Sequence, residues 1–571
     1  MNITTSIRRL SIVFIVLFIA ASAGLVYWQV VVAQQVASNP VLTLSRNCLP
    51  DATPKRGNIY DRNGVLLAYS ELIPTNVKNP NGGNLCVYQR VYTHPSMASV
   101  LGYYVSSTFC AISPYCETGI EKQYDDYLSG RIGVTGLNNT VNKLLHQPPV
   151  GDNIYLTIDV RIQDIVDKYF NEEAPNIGLN DVFTSNRGSV IVTDPHTGEI
   201  LAMVSHPEYD NNRIASGDTA YLQQLLSNPQ QPLVNRAINE CYVPGSIYKT
   251  MTLMAGLDSG KFTLNTPFYD DNNPNHLQAR GPVTLGSNGS TETFTPSEDN
   301  IENYTYHYPV SLEYGYSHSD NVIYAQTGAV TGASTWLKYN SAFYVGKQIP
   351  FDLPVNVSTV TPQPQQNLCA TTPPSQTPLS VVQLAENSFG QGVDFVTPLQ
   401  MSLIDDAAAN NGALMRPTLI EKIVDPSQSV LKSFNAVTLG NPISQQTATE
   451  VRDAMYGVVA CGSGSLNRVQ LSYPYSPWSV IGKTGTGQVN RTGTPAQSWF
   501  ITAAPYVYQS GAMPAITITA MKENAGEGSY ANGPMLRDIY RDIFTKVMTN
   551  VQQPTPPDPN FCFTTGLLQT K

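Results

Sequence analysis

Charged side chains are scarce in this sequence. Asp, Glu, Lys and Arg make up only 13% of the residues, and the formal net charge is −10. No basic run occurs beyond short pairs such as Arg8-Arg9. Because nucleic-acid binding needs Lys and Arg clustered on one face or along one helix, the composition excludes nucleic acid as an expected partner.

Metal-binding motifs are also missing. The seven histidines are scattered along the chain, and neither Cys-x-x-Cys nor His-Glu-x-x-His occurs. These are the spacings at which two side chains commonly reach one zinc ion. We therefore expect no metal site.

Long apolar runs are rare too, and the one at residues 10–34 carries no charge and follows Arg8 and Arg9. A helix of this length, at about 1.5 Å per residue, crosses the hydrocarbon core of a bilayer. The arginines place residues 1–9 in the cytoplasm and the bulk of the chain outside. A cleaved signal peptide is the alternative, since Ala21-Ser22-Ala23 has the form of a cleavage site. The apolar run continues past that site, so we predict a single-pass anchor in the cytoplasmic membrane.

The eight cysteines all follow this segment, on the side where disulfides form. Their even number permits complete pairing, but the sequence does not choose among the pairings, and buried free thiols remain the alternative. Cys110 and Cys116 are near enough along the chain to close a small loop.

Two folded units are predicted after the anchor. Asn63-Gly64 predicts the turn of a β-hairpin over residues 56–68, in a unit that runs from 35 to 155. The second unit, 156–549, has strand patterns near both ends, at 189–192, 199–204, 499–503 and 515–520, with helical patterns between them. This order predicts an α+β arrangement whose sheet is built from both ends around a helical middle. Residues 550–571 form a Pro-rich tail.

Ser246 opens a Ser-x-x-Lys tetrad that precedes the helix-compatible run Thr250 to Leu257. At a helix N-terminus, unpaired N–H groups and the helix dipole favour negative charge near the serine oxygen. Lys249 lies three residues on and shares a helix face with Ser246. A buried lysine loses its charge more easily, and its neutral amine can remove the serine proton.

The tetrad alone is weak evidence, because Ser429-Val430-Leu431-Lys432 repeats it between strand-like segments. An exposed serine beside a solvated lysine is the plainer interpretation of any single copy.

Ser319-Asp320-Asn321 is the second motif. The Ser319 hydroxyl is suited to relay a proton, and the Asn321 amide can hold both Lys249 and a substrate carbonyl. The alternative is an ordinary helix cap, for which Ser319 and Asp320 are equally suited.

Lys483-Thr484-Gly485-Thr486 is the third motif, and it is predicted to lie on a strand at a sheet edge. The glycine lets an extended peptide approach and pair with the backbone. A phosphate loop is excluded, because Pro477 stands where that motif requires a glycine.

The three motifs in this order are those of β-lactamases and penicillin-binding proteins. From about residue 8 to about residue 548 the sequence resembles class B penicillin-binding proteins, the anchored D,D-transpeptidases, and above all their PbpA-like subgroup. Further matching segments are Arg56 to Ala68, Gly119-Ile120-Glu121, Thr157-Ile158-Asp159, 197–204, Asn235-Arg236-Ala237, Gly390-Gln391-Gly392 and Thr397-Pro398-Leu399-Gln400. The resemblance implies that 35–155 is a mixed pedestal domain and 156–549 a transpeptidase domain, in which a helical subdomain packs on an antiparallel sheet.

The resemblance also implies roles. Ser246 attacks the D-Ala-D-Ala bond of a peptidoglycan stem peptide with Lys249 as base, and Ser319 and Asn321 assist. Lys483, Thr484, Gly485 and Thr486 bind the substrate, the N–H groups of Ser246 and Thr486 form the oxyanion hole, and no cofactor is needed. The implied partners are lipid-linked or nascent glycan, β-lactams, and a SEDS-family glycan polymerase reached through the anchor and pedestal.

Two other functions remain open on the sequence. A D,D-carboxypeptidase or a β-lactamase-like hydrolase forms the same acyl-serine and differs only in using water as acceptor. A non-catalytic scaffold of the elongation or division complex would keep the fold with a decayed site, but the motif residues are intact.

Overall fold

The computed structural model describes residues 3–27, 48–50, 55–78, 84–106, 110, 116–144, 150–171, 185–285, 292–294, 308–363, 369, 379–465, 471, 476–488, 494–556 and 558–568. The strands are β1 (Cys48–Pro50), β2 (Ile59–Tyr60), β3 (Leu66–Lys78), β4 (Asn84–Tyr92), β5 (Asn153–Leu156), β6 (Gly188–Asp194), β7 (Glu199–His206), β8 (Pro267–Phe268), β9 (Val283–Leu285), β10 (Glu292–Phe294), β11 (Val310–Ser311), β12 (Leu414–Met415), β13 (Ile420–Val424), β14 (Val430–Ser433), β15 (Thr438–Gly440), β16 (Ile481–Gly487), β17 (Gln497–Ala504) and β18 (Ile516–Lys522).

The helices are α1 (Ile3–Val26), α2 (Ala98–Leu101), α3 (Gly119–Gln123), α4 (Asp125–Leu128), α5 (Gly133–Leu144), α6 (Val160–Asn171), α7 (Asn211–Ala215), α8 (Thr219–Ser227), α9 (Arg236–Asn239), α10 (Lys249–Asp258), α11 (Leu312–Ser317), α12 (Asn321–Thr331), α13 (Ala333–Ala342), α14 (Val381–Ser388), α15 (Pro398–Ala409), α16 (Gln445–Ala460), α17 (Gly528–Asp542) and α18 (Phe561–Thr564). Short 3₁₀ turns span Pro95–Met97 and Gly245–Tyr248.

The anchor predicted for residues 10–34 coincides in part with α1 and in part lies outside the described residues. In the part of the chain that the structure describes, no helix combines the length and the apolar character needed to span a membrane.

The first sheet is mixed and has seven strands in the order β1-β4-β3-β2-β5-β13-β14. The predicted hairpin is confirmed, since β2 pairs antiparallel with β3 and Gly64 takes a positive φ of 82° in the turn. Asp61 Oδ1 accepts hydrogen bonds from the N–H groups of Asn63 and Val65, each at 2.8 Å. Between Thr118 and Gly130 the chain forms two short helices, α3 and α4, which are separated at Tyr124.

The second sheet has five antiparallel strands in the order β16-β17-β18-β6-β7. Its strands come from both ends of the second unit, as predicted, and β16 lies at an edge. Successive side chains of its strands point to opposite faces of the sheet. Val190 packs with Ile162 of α6 and Leu536 of α17, whereas Ile191 faces the core of the helical middle. That core encloses α10, whose side chains from Met251 to Ala255 are buried.

Disulfides in the described chain include those that join Cys110 to Cys116, Cys241 to Cys369, and Cys461 to Cys562. The suggested Cys110–Cys116 loop is therefore confirmed. The other two bonds tie segments that are far apart in sequence to the helical middle.

A buried ion cluster fixes the base of the seven-stranded sheet. Glu121 is fully buried and accepts hydrogen bonds from Arg56 Nε at 2.9 Å and from Arg90 Nε at 2.5 Å. Arg90 also donates to the carbonyl of Gly57 at 2.8 Å. Glu121 thus neutralises Arg90 and shares Arg56 with Asp125, and both guanidinium groups have almost no access to water.

Replacing Glu121 with Gln should destabilise the fold by about 3 kcal/mol or more, because it removes the counter-charge of buried Arg90 and leaves buried Arg56 with Asp125 alone. The measurement is urea unfolding followed by circular dichroism. Glu71→Gln, an exposed site on β3, is the matched control and should change stability little. Equal losses in the two variants would contradict this account of the cluster.

Candidate active site

Ser246 lies in the 3₁₀ turn Gly245–Tyr248, which leads directly into α10. The sequence predicted a helix start at this point, and the structure has one. Lys249, the first residue of α10, is fully buried. The turn therefore holds the serine at the entrance of a buried helix, with the lysine amine beside it.

The Lys249 amine is the centre of the site. Its Nζ lies 2.7 Å from Ser246 Oγ, 2.7 Å from the carbonyl oxygen of Ser319 and 2.7 Å from Asn321 Oδ1. The Ser319 hydroxyl is 3.2 Å away. Lys249 thus contacts three of the other predicted catalytic residues directly. The fifth, Lys483, contacts Ser319, as described below.

The contacts of Lys249 fit an uncharged amine. Burial, with the charge of Lys483 acting in the same direction, holds the pKa of Lys249 well below its usual value. A neutral amine has two hydrogens and one lone pair. The Ser319 carbonyl and Asn321 Oδ1 are acceptors only, so they take both hydrogens and leave the lone pair directed at the Ser246 hydroxyl.

Ser319 occupies a strained turn between α11 and α12. Its φ of 63° lies in the left-handed region that non-glycine residues seldom adopt. Asp320 caps α12 by accepting a hydrogen bond from Ile323 N at 2.9 Å, so the helix-cap interpretation also holds, for Asp320. The cap fixes the first residue of the helix, Asn321, against Lys249.

Lys483 reaches the same group from the sheet. Its Nζ donates to Ser319 Oγ at 2.8 Å and to the carbonyl of Thr484 at 3.1 Å. Burial lowers the pKa of Lys483 to about 7, against the opposing effect of the Glu527 carboxylate. The Ser319 hydroxyl therefore lies between two buried lysines.

Glycines allow the turn of Ser246 to contact the edge strand β16. A Cβ on Gly245, whose φ is +57°, would lie 2.5 Å from the carbonyl oxygen of Thr486. A Cβ on Gly485 would lie 2.8 Å from Ile247 Cγ2. The backbone segments of Ser246 and Thr486 are thus adjacent. The role of their N–H groups as the oxyanion hole stays a prediction.

Three further side chains contact β16, and the three sequence motifs do not include them. Gln391 Nε2 donates to the carbonyl of Thr486 at 2.9 Å, and Glu527 accepts from Thr486 Oγ1 at 3.1 Å. Ser463 Oγ lies 2.8 Å from Thr484 Oγ1. Gln391 lies in Gly390-Gln391-Gly392, one of the segments that match the family, so the sequence did point to it. Ser463 and Glu527 lie in no motif.

The second Ser-x-x-Lys tetrad plays no part here, since its residues lie on or beside β14 in the other sheet. Away from the site, Asp167, His206 and Glu208 place possible metal-ligating atoms within 4.8 Å of one another in the described part of the chain. The sequence did not predict this group.

The fold and this arrangement of side chains define a class. The family of the penicillin-binding protein transpeptidase domain matches residues 188–543, and the chain belongs to it. The α+β fold with an antiparallel sheet is confirmed in this way, as is the resemblance.

Individual relatives extend the likeness over most of the chain. Peptidoglycan D,D-transpeptidase PbpA of Mycolicibacterium smegmatis is 28% identical over 550 residues, which cover 93% of this chain and 96% of that protein. Peptidoglycan D,D-transpeptidase MrdA of Escherichia coli is 26% identical over 469 residues, covering 76% and 66%. The imipenem acyl-enzyme complex of penicillin-binding protein A from M. tuberculosis superposes with a TM-score of 0.67 at 27% identity, covering 86% of this chain and 98% of that one.

The rate of acylation by a β-lactam should have a bell-shaped pH dependence. In its predicted role as base, Lys249 must be neutral, so the rate falls as the pH drops through its lowered pKa. In its predicted role as carboxylate binder, Lys483 must be charged, so the rate falls again as the pH rises through about 7. Second-order rate constants between about pH 5 and about pH 9 measure both limbs. Lys483→Arg, which stays charged, should remove the alkaline limb, and a rate that rises steadily to about pH 9 in the wild type would contradict the assignment.

Gly245→Ala should slow acylation at least about tenfold, because the new Cβ pushes the Ser246 turn away from Thr486. Gly260→Ala is the matched control. Its φ of +68° imposes the same backbone strain, but a Cβ there would have nothing within 4 Å. Equal rates in the two variants would show that the contact with β16 does not matter.

Proposed function

We propose that this protein is a serine D,D-transpeptidase that cross-links peptidoglycan stem peptides and is acylated by β-lactams. The observation that carries the proposal is the 2.7 Å contact between Ser246 Oγ and an amine whose two other close partners are both acceptors. That arrangement prepares a serine to lose its proton and attack a carbonyl.

In the acylation step, Ser246 Oγ attacks the carbonyl carbon of the D-Ala-D-Ala bond and its proton passes to Lys249 Nζ. The N–H groups of Ser246 and Thr486 stabilise the oxyanion that forms. Collapse breaks the amide C–N bond, and the leaving nitrogen takes a proton through the Ser319 hydroxyl. That hydroxyl is suited to the relay, because it lies 3.2 Å from Lys249 Nζ and 2.8 Å from Lys483 Nζ.

Substrate binding falls to the strand that carries the third motif. Lys483, with the hydroxyls of Thr484 and Thr486, takes the terminal carboxylate of the stem peptide. Gly485 keeps the strand free of a side chain where the peptide lies, and Asn321 holds the substrate carbonyl while it positions Lys249.

The acyl group is then transferred to the amine of a neighbouring stem peptide, which restores Ser246. Water in place of that amine would give a carboxypeptidase or a β-lactamase-like hydrolase. The names of the relatives, peptidoglycan D,D-transpeptidases PbpA and MrdA, favour the amine.

We further propose the cellular arrangement that the sequence implies. Residues 1–9 are cytoplasmic, 10–34 anchor the chain in the cytoplasmic membrane, 35–155 form a pedestal, 156–549 the extracytoplasmic transpeptidase domain, and 550–571 a tail. The anchor and pedestal contact a SEDS-family glycan polymerase, so that new glycan is cross-linked where it is made. Disulfides in the described chain suit an extracytoplasmic location.

Fluorescent penicillin tests the function. The full-length chain should become labelled covalently and release the label slowly, and Ser246→Ala should abolish labelling. Ser429→Ala, which alters the serine of the other tetrad, is the matched control and should label like the wild type. Absence of labelling in the wild type would refute an acyl-serine enzyme, whereas rapid release would favour a β-lactamase.

A further inference from the structure

Residues 461–463, which follow α16, form a short segment that we call the clamp. The clamp lies between the two walls of the active site. On one side, the backbone N–H of Ser463 donates to the carbonyl of Ser317 at 2.9 Å, two residues before Ser319. On the other side, Ser463 Oγ lies 2.8 Å from Thr484 Oγ1, next to Lys483. One residue therefore bridges the turn of the second motif and the strand of the third.

The clamp contacts the Ser317 turn without intervening side chains. A Cβ on Gly462 would overlap the carbonyl of Ser317, and a Cβ on Gly457 of α16 would lie 2.5 Å from Ser317 Oγ. Because interiors packed this closely move as units, a shift of the clamp displaces the turn that carries Ser319.

The clamp is itself held by the C-terminal segment, residues 558–568. Cys562 of this segment is disulfide-bonded to Cys461. The Phe561 ring packs edge-on against Tyr456 of α16 and against Tyr508, with centroids at 5.0 Å and 4.7 Å. Leu567 is buried, and its Cδ1 is 3.0 Å from the place of a Cβ on Gly457. The segment thus packs on the face of α16 that leads into the clamp.

We propose that Ser463 is a positioning residue for the Lys483-Thr484 strand that binds the β-lactam, and that the C-terminal segment, through the Cys461–Cys562 disulfide, is part of the support of the active site. The clamp sets the distance between Ser319 and the Lys483-Thr484 strand, and the disulfide holds the clamp. This inference rests on the proposed function, because it concerns the rate of the same acylation.

Ser463→Ala tests the bridge in the full-length chain. It removes the hydroxyl next to Thr484 and keeps the backbone hydrogen bond to Ser317. Loss of this one hydrogen bond should weaken noncovalent binding of benzylpenicillin about fivefold, with the acylation step itself changed less than about twofold. Ser463→Thr, which retains a hydroxyl, should restore binding. Binding unchanged in Ser463→Ala, or not restored in Ser463→Thr, would overturn the role of Ser463.

The paired substitution Cys461→Ser with Cys562→Ser tests the support. Removing the Cys110–Cys116 bond by the same substitutions is the matched control, because it also deletes a disulfide but lies outside the active site. At a temperature at which circular dichroism shows every variant folded, the first pair should lower the second-order acylation rate constant about tenfold. The control pair should acylate like the wild type. Equal rates for the two pairs would overturn the support role.

The outcomes separate this inference from the proposed function. A wild-type chain that benzylpenicillin does not acylate would refute both. An active wild type whose Ser463→Ala variant binds benzylpenicillin as tightly as it does, and whose Cys461–Cys562 variant acylates at its own rate, would refute the clamp alone. If the Cys461–Cys562 variant does not fold, Ser463→Ala still decides, because it leaves all cysteines in place.

Discussion

The site depends on removing one amine from water. Lys249 is fully buried, and its nitrogen touches Ser246, Ser319 and Asn321 at hydrogen-bond distance. Burying an ammonium is costly, and here the cost outweighs the opposing charge of Asp320, so burial itself favours the neutral amine that the chemistry needs. The same nitrogen also joins the helix that carries Ser246 to the turn that carries Ser319. The burial of Lys249 therefore both holds these segments together and favours the neutral amine.

The rest of the fold serves to bring three remote segments to this nitrogen. Strands from both ends of the second unit form one sheet, which places β16 at an edge beside α10. Glycines at 245 and 485 permit the helix turn and the strand to touch. Asp320 caps α12 and so aims Asn321, while Lys483 supplies a second buried amine. Each of these contacts is local, and together they fix the positions of Ser246, Ser319 and Lys483 around Lys249.

Much of the site could be predicted from the sequence, because its motifs are local. Ser246 and Lys249 share a helix face by spacing alone, and a glycine within a strand indicates that a ligand or another backbone approaches it closely. Ser463, Glu527 and Cys562 could not be predicted, since they meet the site only through contacts between distant segments. The break at Tyr124 and the addition of β13 and β14 to the first sheet are likewise decided by tertiary packing. Helix and strand propensities of the local sequence do not predict where such breaks and added strands occur.

The central claim, that burial holds the pKa of Lys249 well below the usual value for lysine, can be measured directly. Carbon-13 NMR of the lysine Cε atoms, assigned with Lys249→Arg and Lys483→Arg, follows the protonation of each amine as the pH changes. The account predicts that the Lys249 signal has the chemical shift of a neutral amine at pH values well below the usual range for lysine. A Lys249 signal that remains that of an ammonium up to about pH 10 would contradict it.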